Sequence, residues 1–389
     1  MQKRSKIVSV ISYAGISTLI MAGFQVMLSS APLTAMAQSA TATPTPAKAA
    51  AAPAATATSA PAAAAPDPLK GKTIIASGLR QPRQLFYDKD GVLFIAEAGI
   101  GGDATLSTVA TRTVQAGLTS RISMVDASGK QSIALEGLPS TATGGAPNFA
   151  GASSLYVTAD SYWIGIEYGP DLKGVTFPLF HHLAQIDRKT HRIKKLVDTW
   201  TPAIEAKQPS PDDAFSNPTD LALAKDGTLY IADASANVLW SWTEKTGMKL
   251  VAKWDIKDNP VPDTVAIGPD GDIYVGTLSG FPFKAGSARI ERWSGGKLKQ
   301  KYEGLTMVTD VLVTKEGDIY ATQYAEFGDK GPKPLSGKVV KIGKNGPETV
   351  MDGLPSPYGL AQNPKDGSIV VSVMSAGDKD GKGAVIKVK

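Results

Sequence analysis

From residue 72 onward, apolar and polar positions alternate with period two in short runs separated by Asp-Gly, Glu-Gly or Pro-containing turns. Ser287-Ala288-Arg289-Ile290-Glu291-Arg292-Trp293 and Gly337-Lys338-Val339-Val340-Lys341-Ile342 set charged side chains against apolar ones, as half-buried strands do. The runs belong to a repeat in which a short apolar strand leads through the turn into a strand of aromatic and β-branched residues. The copies are Pro82-Arg83-Gln84-Leu85 to Asp90-Gly91-Val92-Leu93-Phe94-Ile95, Pro218-Thr219-Asp220-Leu221 to Asp226-Gly227-Thr228-Leu229-Tyr230-Ile231, and Pro262-Asp263-Thr264-Val265 to Asp270-Gly271-Asp272-Ile273-Tyr274-Val275. Two more are Thr309-Asp310-Val311 to Glu316-Gly317-Asp318-Ile319-Tyr320 and Pro357-Tyr358-Gly359-Leu360 to Asp366-Gly367-Ser368-Ile369-Val370.

The turn glycines Gly227, Gly271, Gly317 and Gly367 are 44, 46 and 50 residues apart. Gly91 to Gly227 spans 136 residues, which leaves room for a degenerate copy at Ser153–Val157 and Tyr162–Ile166 and brings the units to six. A third and fourth strand per unit match the blade of a propeller, whereas a solenoid would leave its end repeats uncapped. The last unit stops after a third strand, Ala384–Val388. Lys72–Ala76 before Gly78-Leu79 aligns with the outer strands Glu348–Asp352 before Gly353-Leu354 and Lys299–Glu303 before Gly304-Leu305. The expected fold is therefore all-β, a six-bladed β-propeller closed by an N-terminal strand that completes the last blade and pairs two edges.

The repeat occupies residues 71–389. Ahead of it, residues 38–70 are almost wholly Ala, Pro, Thr and Ser, with Pro44, Pro46, Pro53, Pro61, Pro66 and Pro68 against a continuous helix; they read as an extended, disordered spacer, a composition that also permits O-glycosylation. Residues 1–37 read as a signal peptide: Lys3, Arg4 and Lys6, then an uncharged stretch from Ile7 to Leu28, then Ala35-Met36-Ala37 as a cleavage site. That stretch is 22 residues, long enough for an uncleaved anchor as well. Either way the domain is expected outside the cytoplasm, secreted, periplasmic or tethered to a membrane only if the leader stays.

The absence of cysteine excludes disulfides, thiolate metal sites and Cys nucleophiles, so the core must hold the domain. Removing residues 1–37 lowers the net charge from +5 to +2, and no basic stripe remains, which argues against nucleic acid as a partner. A monomer is expected, either a binding or accessory module for a small molecule, a polymer or an extracytoplasmic protein at its top face or a divalent-metal-dependent lactonase- or lyase-like enzyme.

Strand direction sorts candidate chemistry onto faces. In a blade the first strand lines the channel and starts at the top, and the Asp-Gly turns lie at the bottom. The channel entrance should then collect Arg83, Gln84, Asp220, Asp263, Thr264, Thr309, Asp310 and Tyr358 from first strands, and Glu97, Glu167 and Asp233 from second-strand ends. Such carboxylates can hold Ca or Mg through oxygen ligands, bind a basic or hydroxylated molecule, or perform acid–base work. Equally, they can cap strand ends and bond neighbouring blades. Phe281 and Phe283, in Gly280-Phe281-Pro282-Phe283, form either a binding lip in a top-face loop or a local cover over the blade.

Other motifs read as structural. Asp88-Lys89-Asp90-Gly91 and Asp378-Lys379-Asp380-Gly381 lack the distal Glu of a calcium loop and read as turns. His181, His182 and His191 read as structural or exposed. Gly99-Ile100-Gly101-Gly102 precedes no helix, so it reads as a flexible loop. Trp240 and Trp242 share a strand face suited to packing between blades. No Gly-x-Ser-x-Gly elbow is present.

Pro82-Arg83-Gln84-Leu85 followed by Ala96-Glu97-Ala98-Gly99-Ile100-Gly101-Gly102, with Ser216-Asn217-Pro218, resembles the opening of the ScyD/ScyE family, propellers named from scytonemin biosynthesis clusters of cyanobacteria. The likeness is strongest at Pro262–Gly271, Tyr274-Val275-Gly276 and Leu278-Ser279-Gly280-Phe281-Pro282-Phe283, and it runs from about 72 to 389. The resemblance implies an exported propeller without an established reaction. Gluconolactonase and NHL propellers are similar at lower resolution. The lactonase-like group implies a divalent metal held by Glu, Asn and Asp, types matched by Glu97, Asn217 and Asp310, but Thr219-Asp220 replaces the usual Asn-Gly.

Overall fold

The computed structural model describes residues 67–109, 112–144, 148–167, 179–206, 216–329, 331–377 and 381–388. The leader, most of the spacer and Asp378–Asp380 lie outside the described residues. At the spacer's end, Leu69 donates its amide to Asp67 Oδ1 at 2.9 Å and packs against an apolar cluster of the sixth blade.

The molecule is a six-bladed β-propeller. Its inner strands are Pro82–Tyr87, Ala152–Val157, Pro218–Leu223, Pro262–Ile267, Val308–Val313 and Leu360–Gln362, and they open blades one to six in chain order. Blades two to five each run outward through four antiparallel strands. In the sixth sheet, Ile74–Leu79 forms the outer strand, with Ile74 opposite Ile386, Ala76 opposite Val385 and Leu79 opposite Gly383.

Period-two alternation explains how the blades adhere. In the third blade Leu229 and Ile231 face the second, where Trp163 and Leu183 lie, while Tyr230 and Ala232 face the fourth, against Val265 and Val275. The fifth blade repeats this: Ile319 and Ala321 join the fourth blade's cluster and Tyr320 the sixth's. Six apolar seams result, one between each pair of adjacent blades, and the seam between sixth and first contains Ala76 and Leu79 with Leu85 and Ile95. Burial of these seams, rather than any covalent staple, supplies the driving force.

The first blade departs from the repeat. Its third and fourth strands, Arg112–Val125 and Gln131–Thr143, run on past the blade and pair there with Ala104–Val109 and Asn148–Ala150. This extension overturns the flexible-loop reading of Gly99–Gly102. Gly101 donates to Ser140 Oγ at 2.9 Å, and a Cβ on Gly102 would lie 2.6 Å from Gly117 Cα, so the glycines let two backbones touch.

Candidate functional site

Five inner strands carry a one-residue register shift at the same point, just after their first residue: Pro82/Leu85, Ala152/Ser154, Pro218/Asp220, Pro262/Thr264 and Val308/Asp310. A bulge leaves the extra residue free of the ladder and re-aims its side chain. The recurrent bulge sets two tiers of side chains at the channel. The outer tier is Arg83, Ser153, Thr219, Asp263, Thr309 and Tyr358, and the inner tier Gln84, Ser154, Asp220, Thr264, Asp310 and Gly359. Gly359 has to lack a Cβ, which would sit 2.5 Å from Arg83 O.

The inner tier ties blades together. Asp220 accepts from its neighbour Leu221 N at 2.8 Å and from Val265 N of the next blade at 2.9 Å. Asp310 likewise accepts from Val311 N at 2.7 Å and Leu360 N at 2.6 Å. Between them Thr264 Oγ1 lies 2.8 Å from Asp220 Oδ2 and 3.0 Å from Asp310 Oδ1, with one hydrogen to donate. Burial pushes the Asp310 carboxyl up to about 6, and burial together with the Asp310 charge holds Asp220 well above the ordinary carboxylate range.

The outer tier is less settled. Arg83 donates Nη1 to Ser375 O at 2.7 Å and Nη2 to Phe149 O at 3.1 Å and Glu167 Oε2 at 3.3 Å, and its guanidinium lies 4.9 Å from the Tyr358 ring centre. Burial raises Glu167, opposed by the Arg83 charge. Arg83 Nε, Ser153 Oγ and both carboxylate oxygens of Asp263 are buried without a hydrogen-bond partner. Asp263 is 1% exposed, and burial with the charges of Glu167 and Asp220 drives its carboxyl well above the ordinary range. Tyr358 is raised in turn, by burial and by Asp263. Unsatisfied buried groups are rare in proteins, and three of the residues that carry them, Arg83, Ser153 and Asp263, hold the same inner-strand position.

Two expected members are not in this constellation. Glu97 Oε2 accepts from Arg80 N at 2.6 Å, and its Oε1 takes Arg121 Nε at 2.8 Å and the Ser123 hydroxyl. Asp233 is consumed by Ser216 Oγ, the amides of Asn217 and Ala236, and Trp240 Nε1. Both sit at second-strand ends, where amides arriving from the preceding loop compete for the carboxylate before the channel does. Asn217 is buried in that same cap and returns its carbonyl to Ala234 N at 3.1 Å. Phe281 and Phe283 divide the two roles expected of them: Phe283 is 1% exposed, inside a cluster with Val261, Leu278, Met307 and Tyr324, whereas Phe281 is 50% exposed with its ring edge-on to Phe283 and Phe327. Ser153 and Tyr324 were not singled out in the sequence. Ser153 is legible afterwards, because it holds the second inner-strand position that Arg83 and Asp263 hold.

The remaining motifs behave as scaffolding. Asp88 Oδ1 accepts from Asp90 N and Val92 N, an Asx turn. Trp242 packs 5.5 Å from Trp163 of the neighbouring blade. His181 stacks 4.3 Å from Trp200, with Nδ1 3.2 Å from Ser216 O, and His182 Nδ1 lies 2.7 Å from Phe180 O. The Glu97–Asn217–Asp310 metal set does not fit this chain, because both carboxylates are already held by amide and guanidinium donors. Among the described residues no three His, Asp or Glu side chains are grouped to hold an ion.

No protein-family model and no curated protein matches the chain. Solved structures do. Regucalcin from Agrobacterium tumefaciens, described as a calcium-binding protein, is similar with a TM-score of 0.50 at 11% identity, covering 82% of this chain and 92% of that one. A luciferin-regenerating enzyme has a TM-score of 0.49 at 10% identity over 81% and 94%, and virginiamycin B lyase from Staphylococcus aureus 0.47 at 11% over 81% and 97%. At such identities the likeness is one of fold, and the fold is the six-bladed β-propeller.

Proposed function

We propose that this protein is an exported binding propeller that receives a small hydrophilic molecule at the top of its channel. The observation that carries this reading is the Asp263 carboxylate, buried with neither oxygen partnered, in a tier that also leaves Arg83 Nε and Ser153 Oγ unmatched. A ligand supplying donors to Asp263 would remove the cost of its unpartnered oxygens, which is of order 1–3 kcal/mol for each unsatisfied group. The charged n-region, apolar stretch and small-residue site of residues 1–37 support export, and the Pro-rich residues 38–70 suit a tether. The ScyD/ScyE resemblance supports the same compartment.

Isothermal titration of the purified protein against cell-wall fragments, aromatic metabolites, polyols and small amines tests the reading. A saturable heat for one class, lost in Asp263→Asn, is the expected result. Silence across the panel together with turnover of an ester would overturn it in favour of an enzyme.

A further inference from the structure

The charges around the channel mouth are unequal. The charges of Glu167, Asp220 and Asp310 raise the Asp263 carboxyl, and the Arg83 charge opposes them. The Arg83 charge is already engaged by Glu167, and its Nη atoms are donated to Ser375, Phe149 and Glu167. Asp220 and Asp310 each draw on two backbone amides and share Thr264. Asp263 alone among these carboxylates is left with neither a cation nor an amide.

We infer that the molecule taken at this mouth is a compact organic cation, a primary ammonium or an amidinium, seated with its charge on Asp263; this rests on the channel-mouth reading above. A neutral polyol would leave Asp263 in its acid form, and an anion would meet the charges of Glu167, Asp220 and Asp310. Residues that follow second strands (Ala234, Leu278, Tyr324, Ala376) and those just before inner strands (Val261, Met307) pack with Phe283 into one apolar cluster over blades three to six. Because burial and the flanking carboxylates favour the acid form of Asp263 in the free protein, seating a cation there expels a proton.

Ethylammonium and methylguanidinium serve as probes, with acetate and glucose as the anionic and neutral comparisons. Titration calorimetry of the full-length protein in phosphate and in Tris should show a probe cation saturating near neutral pH with release of about one proton, and tighter binding as pH rises from about 5 to 8. Asp263→Asn should weaken the cation by about thirtyfold or more, and Asp263→Ser, whose fold is checked by circular dichroism, should do the same. Saturation by glucose without ethylammonium would overturn the cationic class while leaving channel-mouth binding intact. Absence of saturation by every probe, with identical calorimetry for Asp263→Asn, would overturn both.

Discussion

Arg83 of the first blade and Glu167 of the second meet at 3.3 Å through Nη2 and Oε2, both side chains being almost wholly excluded from solvent. The bond spans 84 residues of sequence and joins two blades at the channel rather than at the seam. Removing one partner leaves an uncompensated buried charge, so Glu167→Gln should destabilise the domain by about 3–5 kcal/mol. The paired replacement Arg83→Met with Glu167→Leu should recover most of that loss. Urea unfolding of wild type, Arg83→Met, Glu167→Leu and the double variant measures the coupling, and strictly additive losses would show that the pair does not act as a unit.

The Asp220–Thr264–Asp310 group sets a pH dependence. The folded Asp310 carboxyl is raised from 3.8 to about 6, so the native state binds its proton more tightly than the unfolded chain does. Its contribution is therefore fully present below pH 3.8 and is lost as pH rises through about 6, with Asp220 shifted in the same direction. Denaturant titrations across this range should show that contribution falling with pH, and Asp310→Asn should flatten the slope. An unchanged slope in the variant would assign the dependence elsewhere.

His181 works in the opposite direction. Burial lowers its pKa from 6.5 to about 4, so the folded state holds it neutral beside Trp200. Stability from this group is present above pH 6.5 and is lost as pH falls through about 4. In nitrogen-15 NMR spectra the His181 ring should stay neutral at pH 5.5, whereas a midpoint near 6.5 would place it in contact with solvent.

Leu79 tests how the ring is held between the sixth and first blades. It is fully buried in the outer strand Ile74–Leu79, within the seam shared with Leu85 and Ile95. Leu79→Ala should cost about 2–5 kcal/mol, comparable to truncation inside a blade. Val350→Ala, at an exposed position of an outer strand, should change stability by less than about 0.5 kcal/mol. A Leu79→Ala cost as small as that of Val350→Ala, by thermal or urea unfolding, would show that the N-terminal strand carries no load.

The repeat itself determined the propeller. Alternation such as Leu229-Tyr230-Ile231-Ala232 sends successive side chains into the two neighbouring seams, and glycines such as Gly227 and Gly271, both at positive φ, mark where each hairpin turns. Those properties are local, so one unit read in isolation already contains them. The membership of the channel followed in part, since Arg83, Asp263 and Tyr358 occupy one matching position of their repeats and Asp220 and Asp310 the next. Whether each carboxylate faces the channel or serves the scaffold was decided only by tertiary contacts. Glu97 and Asp233 are captured by amides from preceding loops, Asp220 and Asp310 by the backbone of the next blade, and Asp263 by none of them. A carboxylate takes whatever donors the folded chain brings within about 3 Å, and those donors lie tens of residues away in sequence. The sequence therefore specifies which groups stand near the axis, and the packing of the blades specifies which of them is left without a donor.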